Sequence, residues 1–146
     1  MTKLTLAAAS IIVDTALAEG RARAYQPLTV AVLDAGGVLL ALKREDKSSL
    51  LRPQIATAKA WGVLGMGFGG RELERRAHKA PAFFNVLTEL AEGRMVPVAG
   101  GVLIRNAGGE IIGSVGISGD TSVNDELCAV TGIKAAGLVP DTGDPG

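Results

Sequence analysis

VPVAGGVLIRNAGGEIIGSVGIS, residues Val96 to Ser118, is the stretch that decides the fold. Two runs of β-branched and aliphatic residues flank the segment Asn106 to Gly109, whose glycines can take the positive φ values of a tight turn. The earlier stretch LTVAVLDAGGVLLALKRED, Leu28 to Asp46, repeats this arrangement around the segment Asp34 to Gly37. The sequence therefore predicts two β-hairpins.

Helical patterns precede, separate and follow the two hairpins. The first has Thr2 or Thr5 as its N-cap, and Gly93 and Gly137 supply stops further along the chain. The predicted helices are Leu4 to Ala24, Arg52 to Met66, Arg71 to Lys79, Pro81 to about Glu92 and Ser122 to Ala136. Since hairpin strands pair antiparallel, we expect an α/β fold of the α+β kind: a central antiparallel sheet built from two hairpins and covered by helices.

Length and composition indicate one compact domain. The chain has 146 residues, 47% of them hydrophobic and 21% charged, and we assign residues 1–140 to one domain and 141–146 to a flexible tail. Fifteen basic and fifteen acidic side chains balance, so no net field favours nucleic acid or an anionic membrane. The apolar run from Leu4 ends at Asp14, which is too short for a membrane span, and it lacks a signal-peptide pattern. We therefore expect a cytoplasmic protein.

Metal-binding residues are scarce. A single cysteine and a single histidine exclude an internal disulfide, a cysteine-cluster zinc site and the usual multi-histidine metal centres. His78 lies among Arg75, Arg76 and Lys79, where we expect it to face solvent, yet it is the strongest axial ligand that the chain could offer to a haem iron. Weaker axial candidates are Met66, Met95, Cys128 and Tyr25.

The glycine-rich segment Gly65 to Gly70 formally fits the dinucleotide fingerprint G-x-G-x-x-G. That fingerprint requires a preceding strand, so that the pyrophosphate meets the N-terminus of the next helix. Here the preceding residues have helical character, which argues against a dinucleotide site and favours a flexible connector.

Three carboxylates follow the second hairpin in GISGDTSVNDE, residues 116–126. Ser122 and Asp125 have the spacing of a capping box at the start of the last helix. That role leaves Asp120 unexplained, and Asp120 and Glu126 are the carboxylates that we predict for proton transfer if the protein is an enzyme.

Basic residues and glycines supply further candidate ligand contacts. Arg44 and Arg52 could form a fork for a carboxylate, and the stem of Lys59 could cross an apolar wall to place its ammonium in a pocket. Gly100 and Gly101 indicate either a bend at the start of a strand or the close approach of a ligand to the backbone.

Taken together, VAVLDAGGVLLALKRED, IATAKA and GGVLIRNAGGEIIGSVGISGDTSVNDE resemble the GlcG/HbpS-like haem-binding family, whose domain also forms the C-terminus of PduO-type cobalamin adenosyltransferases. The likeness runs from about Leu4 to Leu138. The resemblance implies a profilin-like sandwich that assembles into dimer-based homo-oligomers, with haem as the cofactor of some members. The chain departs from the family pattern at Leu103, where proline is usual, at Asp120, where glycine is usual, and at Glu45, where methionine is usual.

Two functions follow from this resemblance. The first is a binding protein for haem, a related tetrapyrrole or a small apolar anion, with Phe68 and Phe83 among the apolar walls and arginines for the carboxylates. The alternative is an isomerase, lyase or hydrolase of a carboxylated metabolite, in which Arg44, Arg52 or Lys59 holds the acid and Asp120 or Glu126 moves a proton.

Overall fold

The computed structural model describes residues 3–144, which contain five helices and five strands. In chain order they are α1 (Leu6–Ala22), β1 (Thr29–Asp34), β2 (Leu39–Arg44), α2 (Arg52–Met66), α3 (Gly70–Lys79), α4 (Pro81–Leu90), β3 (Gly101–Arg105), β4 (Ile111–Ser118), α5 (Ser122–Ala135) and β5 (Val139–Asp141). The five strands form one antiparallel sheet, which confirms the predicted α+β class.

The sheet has the strand order β2-β1-β4-β3-β5. Both predicted hairpins are present, and β1 pairs with β4 to join them, in a register that sets Thr29 opposite Ser118. The Asp34 carboxylate accepts hydrogen bonds from the amides of Gly36 and Val38, which fixes the first turn. Strand β5 was not predicted, because its three residues carry too little pattern to indicate a strand.

Helices cover both faces of the sheet. Helix α2 lies across β1, β3 and β4 on one face, while α1 and α5 pack together on the other. Gly116 in β4 permits the close approach of α2, since a methyl group there would lie 1.9 Å from the carbonyl oxygen of Ala56. The end of β4, the middle of α2 and the start of α5 therefore meet at one place.

The helix starts agree only in part with the predicted caps. Thr5 caps α1 by accepting a hydrogen bond from the amide of Ala8, and the alternative cap Thr2 lies outside the described residues. At α5 the predicted cap Ser122 is wrong: Thr121 is the N-cap, and its hydroxyl accepts from the amide of Asn124. The carboxylate of Asp125 instead accepts from the amide of Asp120 and turns towards a buried lysine.

The predicted tail begins within a strand. Asp141 belongs to β5 and forms an ion pair with Arg105, and the carbonyl oxygen of Thr142 accepts a hydrogen bond from the amide of Arg71. These contacts hold the first residues of the tail against the domain. Pro145 and Gly146 lie outside the described residues, and the flexibility of the tail stays a prediction.

None of the helices within residues 3–144 has the length and apolar character that crossing a bilayer requires.

Candidate functional site

A buried ion pair lies where β4 ends and α5 begins. The ammonium of Lys59, from the middle of α2, donates a hydrogen bond to the carbonyl oxygen of Ile117 at 2.8 Å. It also lies 3.2 Å from Oδ2 of Asp125. The two side chains are only 5% and 1% exposed. Lys59 is thus the most deeply buried of the charged candidates, and its partner is Asp125 rather than a predicted proton-transfer carboxylate.

Burial perturbs both members of this pair. Removal from water disfavours each charged form, so it lowers the pKa of Lys59 and raises the pKa of Asp125. The attraction between the two groups opposes both shifts. An acid and a base whose pKa values are moved towards each other are suited to proton exchange, but structural ion pairs show the same shifts.

Gly100 and Gly101 pack directly against Lys59. Gly100 has φ +109°, and a methyl group on it would lie 3.0 Å from the ammonium nitrogen of Lys59. A methyl group on Gly101 would lie 2.6 Å from the carbonyl oxygen of the same lysine. The close packing of α2 onto the start of β3 therefore accounts for both glycines, and a ligand contact by either one stays a prediction.

The two predicted proton-transfer carboxylates are held by other groups. Asp120 accepts hydrogen bonds from the amides of Gln26 and Thr121, both at 2.8 Å, and from the side chain of Asn124 at 2.7 Å. These bonds, that from Gln26 first, lower the pKa of Asp120, which therefore stays ionised at neutral pH. Glu126 accepts two parallel bonds from the guanidinium of Arg71, each at 2.8 Å. Both carboxylates thus have structural partners, and their role in proton transfer stays a prediction.

Arg44 and Arg52 reach the same short loop from two directions. Arg44 donates to the carbonyl oxygen of Ser48 at 2.7 Å, and Arg52 donates to the hydroxyls of Ser49 and Ser118 at 3.2 and 3.0 Å. Within residues 3–144 neither guanidinium forms an ion pair with a carboxylate. The carboxylate fork that they could form stays a prediction.

The aromatic and imidazole candidates lie in the other part of the fold, around α3 and α4. Phe68 is half-buried beneath the guanidinium of Arg76, 4.1 Å from the ring centre. Phe83 is 56% exposed on α4, and His78 is exposed at the end of α3, as predicted. The structure thus groups the cationic candidates at the end of β4 and leaves Phe68, Phe83 and His78 apart from them.

A cation–π pair that the sequence did not predict lies beside α2. The guanidinium of Arg94 lies 4.0 Å from the centre of the Trp61 ring, and its Nε donates to the carbonyl oxygen of Ala91 at 2.9 Å. Like Arg44 and Arg52, Arg94 has no carboxylate partner in the described part of the chain. The sequence offered only a lone tryptophan and a distant arginine, which pair through the tertiary fold.

Protein ligands for a metal ion are few. In residues 3–144 no three His, Cys, Asp or Glu side chains gather in a way that could hold a metal ion. Cys128 is fully buried, and burial raises the pKa of its thiol to about 11, so it is not available as a thiolate. Met95 is 6% exposed, whereas Met66 is half-buried.

Fold and site together define a class: an α+β domain whose antiparallel sheet lies between helices, with three arginines that form no ion pair with a carboxylate in residues 3–144. Residues 4–134 match the family described as haem degrading protein HbpS-like. The chain therefore belongs to the HbpS-like family, which confirms the family resemblance seen in the sequence.

Known relatives share this fold over most of the chain. A crystal structure of a PduOC–haem complex is 24% identical, with a TM-score of 0.85 over 98% of this chain and 100% of that one. A crystal structure of HbpS is 26% identical, with a TM-score of 0.78 over 92% of this chain and 90% of that one. The corrinoid adenosyltransferase PduO of Salmonella typhimurium is 30% identical over 122 residues, which are 83% of this chain and 36% of PduO.

Proposed function

We propose that the protein binds haem or a related tetrapyrrole, or another small apolar anion. One observation carries this proposal: the chain belongs to the HbpS-like family over residues 4–134, and its fold matches, over 98% of the chain, a relative whose structure was solved as a haem complex. The surface arginines that have no carboxylate partner in residues 3–144 add support, since haem carries two carboxylates.

The chain offers one candidate axial ligand for the haem iron and several cations for the haem carboxylates. His78 is exposed at the end of α3, so its imidazole is accessible to an iron without rearrangement of the core. Arg44, Arg52 and Arg94 are the candidate partners for the carboxylates. Because Arg44 and Arg52 lie apart from His78, a contact with those two arginines and ligation by His78 are alternatives. When bound, haem supplies the iron chemistry, and the protein holds and orients the ring.

A haemin titration of the purified protein tests the proposal. We expect the Soret band to saturate at a fixed ratio of haem to chain and to shift in His78→Ala. A saturable spectrum that is unchanged in His78→Ala would remove His78 as axial ligand while preserving haem binding. Weak binding that does not saturate would contradict the proposed function itself.

A second candidate function has one observation in its favour. The pKa values of Lys59 and Asp125 are moved towards each other beside the predicted carboxylate fork, as in sites that transfer protons. This arrangement favours an isomerase, lyase or hydrolase of a carboxylated metabolite, with Asp120 or Glu126 as the predicted acid or base. Once a metabolite screen has found a substrate, Asp120→Asn should abolish its turnover without unfolding the protein. Retained turnover would clear Asp120 of that role.

We also infer that the protein forms a dimer-based homo-oligomer and resides in the cytoplasm. Its expected partners are a small-molecule ligand and other copies of the chain, and neither nucleic acid nor a membrane. The family resemblance supports the oligomer, and the balanced charge supports the absence of nucleic acid as a partner. Light scattering during size-exclusion chromatography measures the oligomer directly. A purely monomeric mass at micromolar concentration would contradict it.

A further inference from the structure

A shallow groove lies between α2 and the segment that follows α4. It has a volume of about 160 Å³ and is lined by Trp61, Met66, Leu87, Leu90, Ala91 and Met95. Every one of these side chains is apolar. We call it the α2–α4 groove. Of the residues predicted to contact a ligand, only the weaker axial candidates Met66 and Met95 line it.

The apolar surface continues from this groove along α4. Phe83, Val86 and Leu90 are 56%, 54% and 74% exposed. They are spaced three and four residues apart, so they share one face of the helix. Three large apolar side chains exposed on a helix of ten residues form a patch of the kind that contacts a ligand or partner.

A cation stands at one end of the groove. The ring of Trp61 lines the groove, and the guanidinium of Arg94 covers that ring at 4.0 Å. Beyond Arg94 is a second, more polar depression of about 350 Å³, which Pro53, Thr57, Glu92 and Arg94 help to line. The Arg94–Trp61 contact thus separates the apolar α2–α4 groove from the more polar depression.

Arg94 is the unpaired arginine best placed for an apolar ligand that carries a carboxylate. Arg44 and Arg52 donate to the polar loop at Ser48 and Ser49, whereas Arg94 lies over an aromatic ring beside exposed aliphatic side chains. Its Nε donates a hydrogen bond to the carbonyl oxygen of Ala91. The guanidinium forms no ion pair with a carboxylate in residues 3–144. Glu92 lines the same polar depression as Arg94. Because Glu92 is exposed, solvent screens its repulsion of a bound anion.

We propose that the α2–α4 groove, with the exposed face of α4, binds the flat apolar ring of a tetrapyrrole, and that Arg94 receives one of its carboxylates. This inference rests on the proposed function and adds a location to it. The ring packs against Leu90 and Trp61, and the carboxylate end lies towards the polar depression. A cation beside an apolar wall fits an amphipathic ring better than it fits an identical copy of the same apolar face.

Metal-free protoporphyrin tests this location, because its binding needs no iron ligand. Its fluorescence is titrated with the wild-type protein and with Leu90→Glu and Arg94→Gln, two exposed positions at which substitution leaves the core intact. Each substitution should weaken binding about tenfold, through a charge in the apolar wall or the loss of a charge-assisted hydrogen bond. The matched controls Val38→Glu, at an apolar position 63% exposed, and Arg23→Gln, in the α1 ion pair with Glu19, should bind as the wild type does.

The dimethyl ester of the porphyrin isolates the role of Arg94. We expect Arg94→Gln to weaken binding of the free acid but not of the ester, whereas Leu90→Glu weakens both. Equal affinity of all variants for the free acid would overturn the location while leaving haem binding intact. No binding of haemin or porphyrin by the wild type would overturn both. A change of oligomeric mass in Leu90→Glu with unchanged porphyrin affinity would assign this face to a second copy and overturn the inference.

Discussion

Lys59 and Asp125 join the middle of α2 to the first turn of α5 through an ion pair, 3.2 Å from Nζ to Oδ2, that is almost fully shielded from solvent. The same ammonium holds the carbonyl oxygen of Ile117 near the end of β4. One side chain therefore connects a helix on one face of the sheet, a central strand and a helix on the other face. The pair therefore stabilises the packing of these three elements.

Removal of the cation should destabilise the protein strongly. Lys59→Met leaves the Asp125 carboxylate buried without its counter-charge, and we expect a loss of about 3–5 kcal/mol in the free energy of unfolding. Urea unfolding at neutral pH measures it. The control is Lys43→Met, whose partner Asp14 is 59% exposed, and there the loss should stay below about 1 kcal/mol. Equal losses in the two variants would contradict the account of the buried pair.

The stability contributed by Asp120 should depend on pH. Its pKa in the folded state lies below the ordinary value of 3.8, so the ionised carboxylate stabilises the fold above that pH. The contribution is lost as the pH falls through the folded pKa. Asp120→Asn should therefore cost about 1 kcal/mol at pH 6. The difference from the wild type should shrink steadily below about pH 4. A difference that is independent of pH would show that the carboxylate charge has no part in it.

Gly116 should not tolerate even a methyl group. In Gly116→Ala the added carbon would lie 1.9 Å from the carbonyl oxygen of Ala56 and 2.8 Å from the amide nitrogen of Ala60, both of them backbone atoms of α2. We expect a loss of about 3 kcal/mol or more. The control Gly108→Ala meets only the Asn106 side chain, at 3.5 Å, and should change stability by less than about 0.5 kcal/mol. Thermal unfolding followed by circular dichroism compares the two, and a stable Gly116→Ala protein would refute the close packing of α2.

Cys128 should be unreactive in the folded protein. The residue is fully buried and the pKa of its thiol is raised to about 11, so at pH 8 only about one thiol in a thousand is ionised. A disulfide reagent should label the native protein slowly and the urea-unfolded protein at once. Rapid labelling of the native protein would show that α5 opens locally.

Local sequence patterns were sufficient to predict most of the helices and strands. The turn from Asp34 to Gly37 predicted its hairpin, because side-chain acceptors and glycines act within a few residues of themselves. Pro53 and Gly67 are at the two ends of α2, whose predicted bounds Arg52 to Met66 are those observed. The cap of α5 was misassigned to Ser122, because its neighbour Thr121 has the same capping chemistry and only the path of the chain selects between them.

The candidate site could be predicted only in its components. The sequence indicates Lys59 as a lysine whose stem could cross an apolar wall, and Arg44 and Arg52 as a possible fork for a carboxylate, since these residue types carry that chemistry. The partners of those residues were not predictable: Asp125 is 66 positions from Lys59, and Arg94 is 33 positions from Trp61. Contacts at such separations depend on how the sheet and helices pack, which no local pattern encodes.

The sequence by itself determined the two hairpins, the helices around them, the α+β class and the family to which the chain belongs, because turn chemistry and hydrophobic period act over short distances. Tertiary structure alone decided which charges are buried and paired and which remain available to a ligand. Burial and pairing depend on neighbours brought together from distant parts of the chain. Asp120 lies just before α5, and Asp125 lies in its first turn, five residues later. Yet hydrogen bonds lower the pKa of Asp120, whereas burial raises the pKa of Asp125.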